Sequence, residues 1–136
     1  MSEILVNKLT GTSTAGSILV TGEGNSTTTN LQQGLAKAWV NSNIDGTAAV
    51  LDSLNISSLD DDGTGQATFH YTNSMNNALY SALTGGGGGT RNNTLANVST
   101  PEAEKSASQL GVDIQYAHTT AFDPDVCAAS IHGDLA

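Results

Sequence analysis

The chain has 136 residues and a formal net charge of −9, with 13 acidic side chains against 4 basic ones. Such a surface repels phosphate backbones and lacks the Lys/Arg clusters on which nucleic-acid binding depends, so the sequence argues against nucleic acid as a partner. Its length suits one domain with a thin apolar core, because Ile, Leu, Val and Phe are close to the ~20% below which independent folding becomes doubtful.

Composition favours an all-β protein. The chain is rich in Thr, Ser, Asn and Gly. Thr, Ser and Asn compete with the helix for backbone hydrogen bonds, and Thr fits a pleated, half-exposed surface. The small number of large apolar residues also favours a homo-oligomer, in which neighbouring chains bury apolar surface against one another.

Neither a secretory signal nor a membrane segment is visible. The first residues, MSEILVNKLTG, lack a basic segment followed by a long apolar run. No run approaches the ~18 apolar residues that a membrane span needs. We therefore expect a protein made in the cytoplasm that does not use a membrane as a partner.

The first part of the chain, residues 1–30, predicts an arm that precedes a body at 31–136. Two short apolar clusters, 4–6 and 18–20, each predict one strand. An isolated hairpin is marginal in water, so we expect the arm to serve attachment or subunit exchange by packing on a neighbouring subunit or a docking surface.

A short helix is predicted where the arm meets the body. Asn30 is a candidate cap for a helix of about two turns that begins at Leu31 and is weakened by Gly34. Leu31, Leu35 and Trp39 are spaced by four. We therefore expect this apolar side to bury Trp39 at the start of the body.

The body predicts strands separated by turn residues. Ala67, Phe69 and Tyr71 share one face of a strand, and the Asp-Gly-Thr-Gly segment at 62–65 predicts a hairpin that joins this strand to the preceding one. The spacing of the strands predicts an antiparallel β-sandwich, jelly-roll-like in form. The predicted strands lie near 36–41, 48–56, 66–72, 78–83, 94–98, 111–117 and 126–132.

Two connections in the body have their own signals. The five glycines at 85–89 predict a flexible exposed loop, and no Gly-Lys-Ser/Thr follows that would make it a phosphate-binding loop. Residues 101–110 predict a short surface helix, with Thr100 as its cap and Pro101 at its first position.

No catalytic, cofactor-binding or metal-binding residue is predicted. His70, His118 and His132 lie on separate predicted strands without a metal-ligand spacing. Cys127 has no partner for a disulfide and sits in an apolar strand, so we interpret it as a small buried core residue. Alternate positions of that strand, Val126, Ala128 and Ser130, are interpreted as core or interface.

Two acidic segments invite an ion-binding interpretation. The first, Asp60 to Asp62, lacks the spaced ligands and distal Glu of an EF-hand loop, so a turn explains it more simply, and whether it binds an ion stays open. The second, Asp123-Pro124-Asp125, predicts a turn before the last strand.

The block AKAWVNSNIDGTAAVLDSLNISSLDDDGTGQATFHYTN, residues 36–73, resembles a domain in structural proteins of tailed bacteriophages, above all marine phages. The closing strand, which ends in Ile-His-Gly-Asp at 131–134, resembles the end of the same domain. The resemblance covers roughly residues 32–135. It implies a virion component assembled in the host cytoplasm, and fibres and knobs of this kind are commonly trimers.

Three function classes follow from the sequence. The first is a non-enzymatic, surface-exposed tail-fibre or knob-like appendage, a homotrimer whose partners are itself, other virion proteins and the host cell surface. The second is a capsid decoration or cement protein, or a head fibre, attached through its arm by strand addition. The third, a carbohydrate-binding module, is disfavoured because few aromatic side chains are present and most are predicted to face inward.

Overall fold

A computed structural model describes residues 3–11, 18–21, 28–88, 94–98, 105–116 and 120–135. It separates the chain into two compact units, Met1–Leu35 and Ala36–Ala136. The second unit consists of two antiparallel sheets packed as a sandwich, and from here on the body means this unit, which begins at Ala36 rather than at the predicted residue 31. The expected all-β sandwich is therefore confirmed.

The first unit contains a small hairpin and one helical turn. Strand β1 (Leu19–Thr21) pairs with β2 (Thr28–Asn30), and α1 (Leu31–Gly34) follows directly. The helix begins at the predicted residue, but it ends at Gly34 and is one turn long, shorter than expected. The apolar cluster at 4–6 forms no strand, although the cluster at 18–20 contributes two residues to β1.

Sheet 1 of the body has four antiparallel strands in the order β4-β3-β11-β7. Strands β3 and β11 occupy its centre, so alternate residues of both face the core. The strands of sheet 1 are β3 (Ala38–Asn43), β4 (Ala49–Leu54), β7 (Ser81–Gly87) and β11 (Val126–His132).

Sheet 2 follows the order β10-β9-β6-β5, and β8 also pairs with β9. All its pairings are antiparallel. The strands of sheet 2 are β5 (Ile56–Gly63), β6 (Gln66–Tyr71), β8 (Thr94–Val98), β9 (Gln109–Tyr116) and β10 (Thr120–Ala121).

The core lies between the two sheets and follows the period-2 alternation of the central strands. The predicted inward face of β6 is confirmed, because Ala67, Phe69 and Tyr71 are all buried. Ile44, Met75 and Tyr80 extend the core beyond the strands. The other buried strand residues that face the core are Ala38, Val40, Ser42, Leu110, Val112, Ile114, Cys127, Ala129 and Ile131.

The predicted strand at 48–56 is divided at Asn55, where the chain passes from sheet 1 to sheet 2. Asn55 has a positive φ of 60°, a conformation that Asn tolerates better than most residues. Its side-chain oxygen accepts a 2.7 Å hydrogen bond from the Asn73 N–H, and its amide donates to the Asn73 carbonyl at 3.0 Å. This reciprocal pair fixes the crossing against the end of β6.

The predicted hairpin exists, but its first strand is β5 rather than a continuous 48–56 strand. Leu59 of β5 pairs with Phe69 of β6, and the connection is Thr64-Gly65. Gly65 is required there because its φ is +73° and a Cβ would lie 2.5 Å from the Ile114 carbonyl oxygen. The turn therefore brings β6 close to the far end of β9.

The glycine run is not the flexible loop that the sequence predicts. Its first three glycines complete β7, where Gly85, Gly86 and Gly87 pair with Ala128, Cys127 and Val126 of β11. Gly89 lies outside the described residues. The pairing with a distant strand supplies backbone hydrogen bonds that a local assessment of glycine cannot anticipate.

The helix expected at 101–110 is wrong for its described part. Residues 101–104 lie outside the described residues. Lys105 forms an isolated bridge with Leu110, and the Ser106 N–H donates to the Gln109 carbonyl at 3.0 Å. The segment is a tight turn into β9, because pairing with Leu110 wins over the local helix signals.

Candidate functional site

The outer face of sheet 1 carries an apolar row. The strand register places Leu54 opposite Trp39, Trp39 opposite Ser130, and Ser130 opposite Leu83. These four residues, one from each strand, form what we call the Trp39 row. Leu54 is 47% exposed and Leu83 67% exposed, so both ends of the row are open to solvent.

Trp39 itself is not a buried anchor, and the expectation that it is buried is wrong. It stands between Ala38 and Val40, which are both buried, so its side chain points away from the core. Trp39 is partly exposed. The helical spacing of Leu31, Leu35 and Trp39 misled the prediction, because α1 ends at Gly34 and Trp39 lies in a strand.

The strands of sheet 1 carry little charge. As the structure bounds them, Asp52 is their one acidic residue, and it pairs with Asn41 in the row next to Trp39. His132, at the end of β11, lies with its Nε2 atom 3.3 Å from the Ser130 hydroxyl. The outer face of sheet 1 is therefore largely neutral, although the whole chain is strongly acidic.

The outer face of sheet 2 is polar and acidic instead. Asp60 Oδ2 lies 2.9 Å from Nε2 of His70, and the Thr68 hydroxyl donates to Asp62 Oδ2 at 2.6 Å. Further along the sheet, the side-chain amide of Gln66 donates to Asp113 at 3.2 Å. The polar groups of this face are thus bonded to one another across neighbouring strands.

The acidic segment at 60–62 belongs to strand β5, so interpreting it as a turn is wrong. Asp60 pairs with Thr68 and Asp61 with Ala67, which places these two carboxylates on opposite sides of the sheet. Asp61 accepts a local hydrogen bond from the Gly63 N–H at 3.2 Å. In the described parts of the chain, no group of three or more His, Cys, Asp or Glu side chains could hold a metal ion.

The two described histidines do not meet. His70 lies in sheet 2 and His132 in sheet 1, each with the neighbour given above. His118 lies outside the described residues. The two described histidines each contact a side chain of their own sheet, which is the solvated or hydrogen-bonded environment expected of a strand histidine.

Cys127 is a core residue, as predicted. It is fully buried, and burial raises the pKa of its thiol to about 11. The buried Ser42 hydroxyl donates to the Cys127 carbonyl at 2.9 Å, which joins β3 to β11 within the core. The thiol is therefore protonated and shielded, the opposite of a reactive cysteine.

The alternate residues of β11 lie outside the core. Val126 is exposed, and Ala128 and Ser130 are partly exposed on the outer face. Their interpretation as core is wrong, whereas interface remains an interpretation. The residues on both faces of this strand are small or apolar, so period-2 alternation alone could not show which face is buried.

The segment before β11 is held by structural contacts. Asp123 accepts a 2.7 Å hydrogen bond from the Gly65 N–H, and the carbonyl of buried Pro124 accepts one from Ile44 at 3.2 Å. A Cβ on Gly88 would lie 2.6 Å from the Asp125 Cβ. These residues therefore fix the packing of neighbouring loops.

One cluster that the sequence did not predict lies beside the end of β6 and the start of β9. The Tyr71 and Tyr80 rings pack edge to face at 5.8 Å, and Lys105 Nζ lies 4.6 Å from the Tyr80 ring centroid. Lys105 also donates to the Tyr80 carbonyl at 2.9 Å, and the Tyr80 hydroxyl donates to the Gln109 carbonyl at 2.7 Å. Burial raises the pKa of both tyrosines, so both hydroxyls stay protonated.

The described residues contain no helix with the length and apolar character of a membrane span. No protein-family model matches the chain, and no curated protein or solved structure gives a match.

Proposed function

We propose that this protein is a non-enzymatic structural component of a tailed-bacteriophage virion, displayed as a tail-fibre or knob-like appendage and assembled as a homotrimer. The resemblance of residues 36–73 to phage structural domains supports the class of protein. The Trp39 row supports a role in protein contact, and it is the observation that carries the proposal.

The two faces of the sandwich differ in a way that suits a display module. The outer face of sheet 1 offers Trp39, Leu54 and Leu83 with little charge, and aromatic and aliphatic side chains of this kind are typical of protein interfaces. The outer face of sheet 2 carries Asp60 and Asp62, each bonded to a neighbour. An acidic face whose polar groups are hydrogen-bonded to one another suits exposure to solvent on a crowded particle.

A capsid decoration or cement protein, or a head fibre, is the second candidate. One observation favours it: the amino-terminal segment exposes Ile4, Leu5, Val6 and Leu9 to solvent. Such a segment can add to an edge strand of a shell protein. In this version the arm supplies attachment, and the body is displayed on the head rather than on the tail.

Immunogold labelling of intact particles tests the proposal. Virions of the phage that encodes the chain are labelled with an antibody against the body, and the oligomer is measured by light scattering on the purified protein. Gold at the tail and a trimeric mass support the proposal, whereas gold on the head supports the decoration protein. Particles that carry no label and no peptides of the chain by mass spectrometry contradict both.

A glycan array separates protein contact from sugar binding. Trp39 is an aromatic side chain that the structure places on an outer face of the body. If Trp39 were a sugar platform, Trp39→Ala would abolish binding to a defined glycan. We expect no glycan to bind the wild-type chain, because aliphatic residues and a serine line the row on both sides of the indole.

A further inference from the structure

We infer that residues 4–9 of one copy add as an extra strand to the open edge of β4 in a second copy, so that sheet 1 continues across the subunit boundary. This inference rests on the homo-oligomer of the proposed function, and it names the contact that would join two copies. The accepting edge and the donated segment are both present in the described chain, and their properties match.

The accepting edge is β4, the terminal strand of sheet 1. In the part of the chain that the structure describes, β4 pairs with β3 alone, so its other side presents unpaired backbone groups. Val50, Leu51 and Leu54 of this strand are all exposed, with Leu51 at 60%. An edge that is both open and apolar is a ready template for another strand.

A bulge gives this edge apolar side chains on both faces of the sheet. Asn41 pairs with Asp52 but Ser42 pairs with Val50, so Leu51 is an extra residue. Leu54 lies opposite Trp39 on the outer face, whereas Val50 lies opposite the buried Ser42 on the inner face. A strand added here gains apolar neighbours whichever face its side chains take.

The donated segment needs such an edge. Ile4 and Leu5 are 86% and 83% exposed, and Val6 and Leu9 are exposed as well. Neighbouring residues of a strand point to opposite faces, so this segment would be apolar on both faces. A strand of that kind gains most from a neighbouring strand that offers apolar side chains on both faces.

Length and charge agree with the pairing. Strand β4 has six residues, and residues 4–9 supply six. Lys8 is one of only 4 basic residues in an acidic chain, and Asp52 is the acidic residue of β4. Opposite charges on adjacent strands stabilise the pairing and help to select its register.

An edge strand of sheet 2 fits this segment poorly. Strand β5 ends sheet 2, and its exposed residues include Ser57, Ser58 and Asp60. These side chains would leave the apolar segment facing polar groups. A second copy would cover the exposed segment, and successive head-to-tail contacts of this kind can close a ring.

Disulfide trapping between two full-length populations tests the inference. One population carries Leu5→Cys or Val6→Cys, and the other, with a different tag, carries Val50→Cys or Leu54→Cys. The native Cys127 is buried and does not interfere. The matched control is Leu79→Cys, because Leu79 is 91% exposed and lies outside the strands. We expect mixed disulfides with the β4 cysteines to exceed those with the control several-fold.

Light scattering on proline variants supplies the second measurement. Val6→Pro removes an N–H from the proposed strand, whereas Thr10→Pro changes the same described segment beyond it. We expect Val6→Pro to shift the oligomer toward monomer and Thr10→Pro to keep the wild-type mass.

Two results would overturn the inference: equal trapping with Leu79→Cys, or an unchanged oligomer in Val6→Pro. In each of these cases a wild-type oligomer leaves the proposed function intact. A wild-type chain that is monomeric at all concentrations would contradict the inference and also the homo-oligomer of the proposed function.

Discussion

Trp39 in β3 is the cross-strand partner of Leu54 in β4, on the side of sheet 1 that faces away from the core. The single tryptophan therefore belongs to the surface of the body rather than to its interior. An aromatic–aliphatic pair at such a position contributes about 0.2–1 kcal/mol to the stability of a sheet.

Trp39→Ala is therefore expected to lower the free energy of unfolding by only about 1 kcal/mol. Phe69→Ala is the comparison, because Phe69 is fully buried and its removal should cost about 3–5 kcal/mol. Urea denaturation at a protein concentration where the chain is monomeric measures both. Equal losses in the two variants would show that Trp39 is packed in the core after all.

Substitutions of glycines test whether the glycine run at 85–88 is held in place by its neighbours. Gly88 has a φ of +115° and no room for a Cβ beside Asp125, so Gly88→Ala should be destabilising. Gly85 has nothing within 4 Å of its Cβ position, so Gly85→Ala should stabilise the protein by about 0.4–1 kcal/mol. Thermal melts of the two variants give the comparison. A flexible loop predicts that both substitutions are tolerated equally.

The two carboxylate contacts on sheet 2 should differ in strength. Thr68→Val removes the hydroxyl that donates a 2.6 Å hydrogen bond to the Asp62 carboxylate, and because hydrogen bonds to charged groups are the stronger ones we expect a loss of about 1–3 kcal/mol. Asp60→Asn breaks the contact with His70, but Asp60 is well exposed, so the loss should stay within about 1 kcal/mol. Chemical denaturation of both variants at pH 7 is the measurement, and a larger loss for Asp60→Asn would reverse this order.

Calcium should not stabilise the body. Asp60 and Asp61 face opposite sides of the sheet, so the acidic segment does not converge on one ion. We expect the same melting temperature in calcium and in a chelator, because an ion that does not bind the folded state cannot shift unfolding. A drop in chelator that calcium restores and magnesium does not would reveal a calcium site.

Alkaline pH should destabilise the protein through Cys127. The thiol ionises near 9 in the unfolded chain, but burial raises its pKa in the folded protein to about 11. The unfolded state therefore loses its proton first, so this contribution to stability is full below pH 9 and is lost as pH rises toward about 11.

Cys127→Ala is the control for this pH dependence. The variant should keep only the alkaline decline that comes from other groups, such as Tyr71 and Tyr80, whose pKa values burial also raises. Unfolding free energies measured from pH 8 to pH 11 compare the two slopes. Identical slopes would show that Cys127 is not protected from ionisation in the folded state.

Where one face of a strand is apolar and the other polar, the sequence was sufficient to predict both the strand and its orientation. Strand β6 is the clearest case, because Phe69 alternates with Thr68 and His70. Strand β11 was predicted with the observed bounds, but its buried face was not, since Ala128 and Ala129 are chemically identical. Local patterning decides where a strand lies, whereas packing decides which of its faces is buried.

Other features depended on contacts between distant residues. The glycines of β7 are ordered by β11, some forty residues later in the chain, and no local preference indicates such pairing. The Trp39 row likewise exists only after four strands are aligned. The sequence shows its four residues separately but does not show that they lie side by side. The sequence does not reveal the break at Asn55, because apolar residues keep the same alternation from Leu54 to Ile56.

The ends of the body emerge together, which decides how it would respond to mechanical force. Ala38 at the start of β3 pairs with Ile131 near the end of β11, and the Lys37 N–H donates to the Ile131 carbonyl at 2.8 Å. Because these strands are antiparallel, tension between the two ends would load their ladder bonds one after another, like a zipper, rather than all at once in shear. The body would therefore yield readily to a pull between its own ends, whereas a pull along β3 against the rest of sheet 1 would meet the whole ladder.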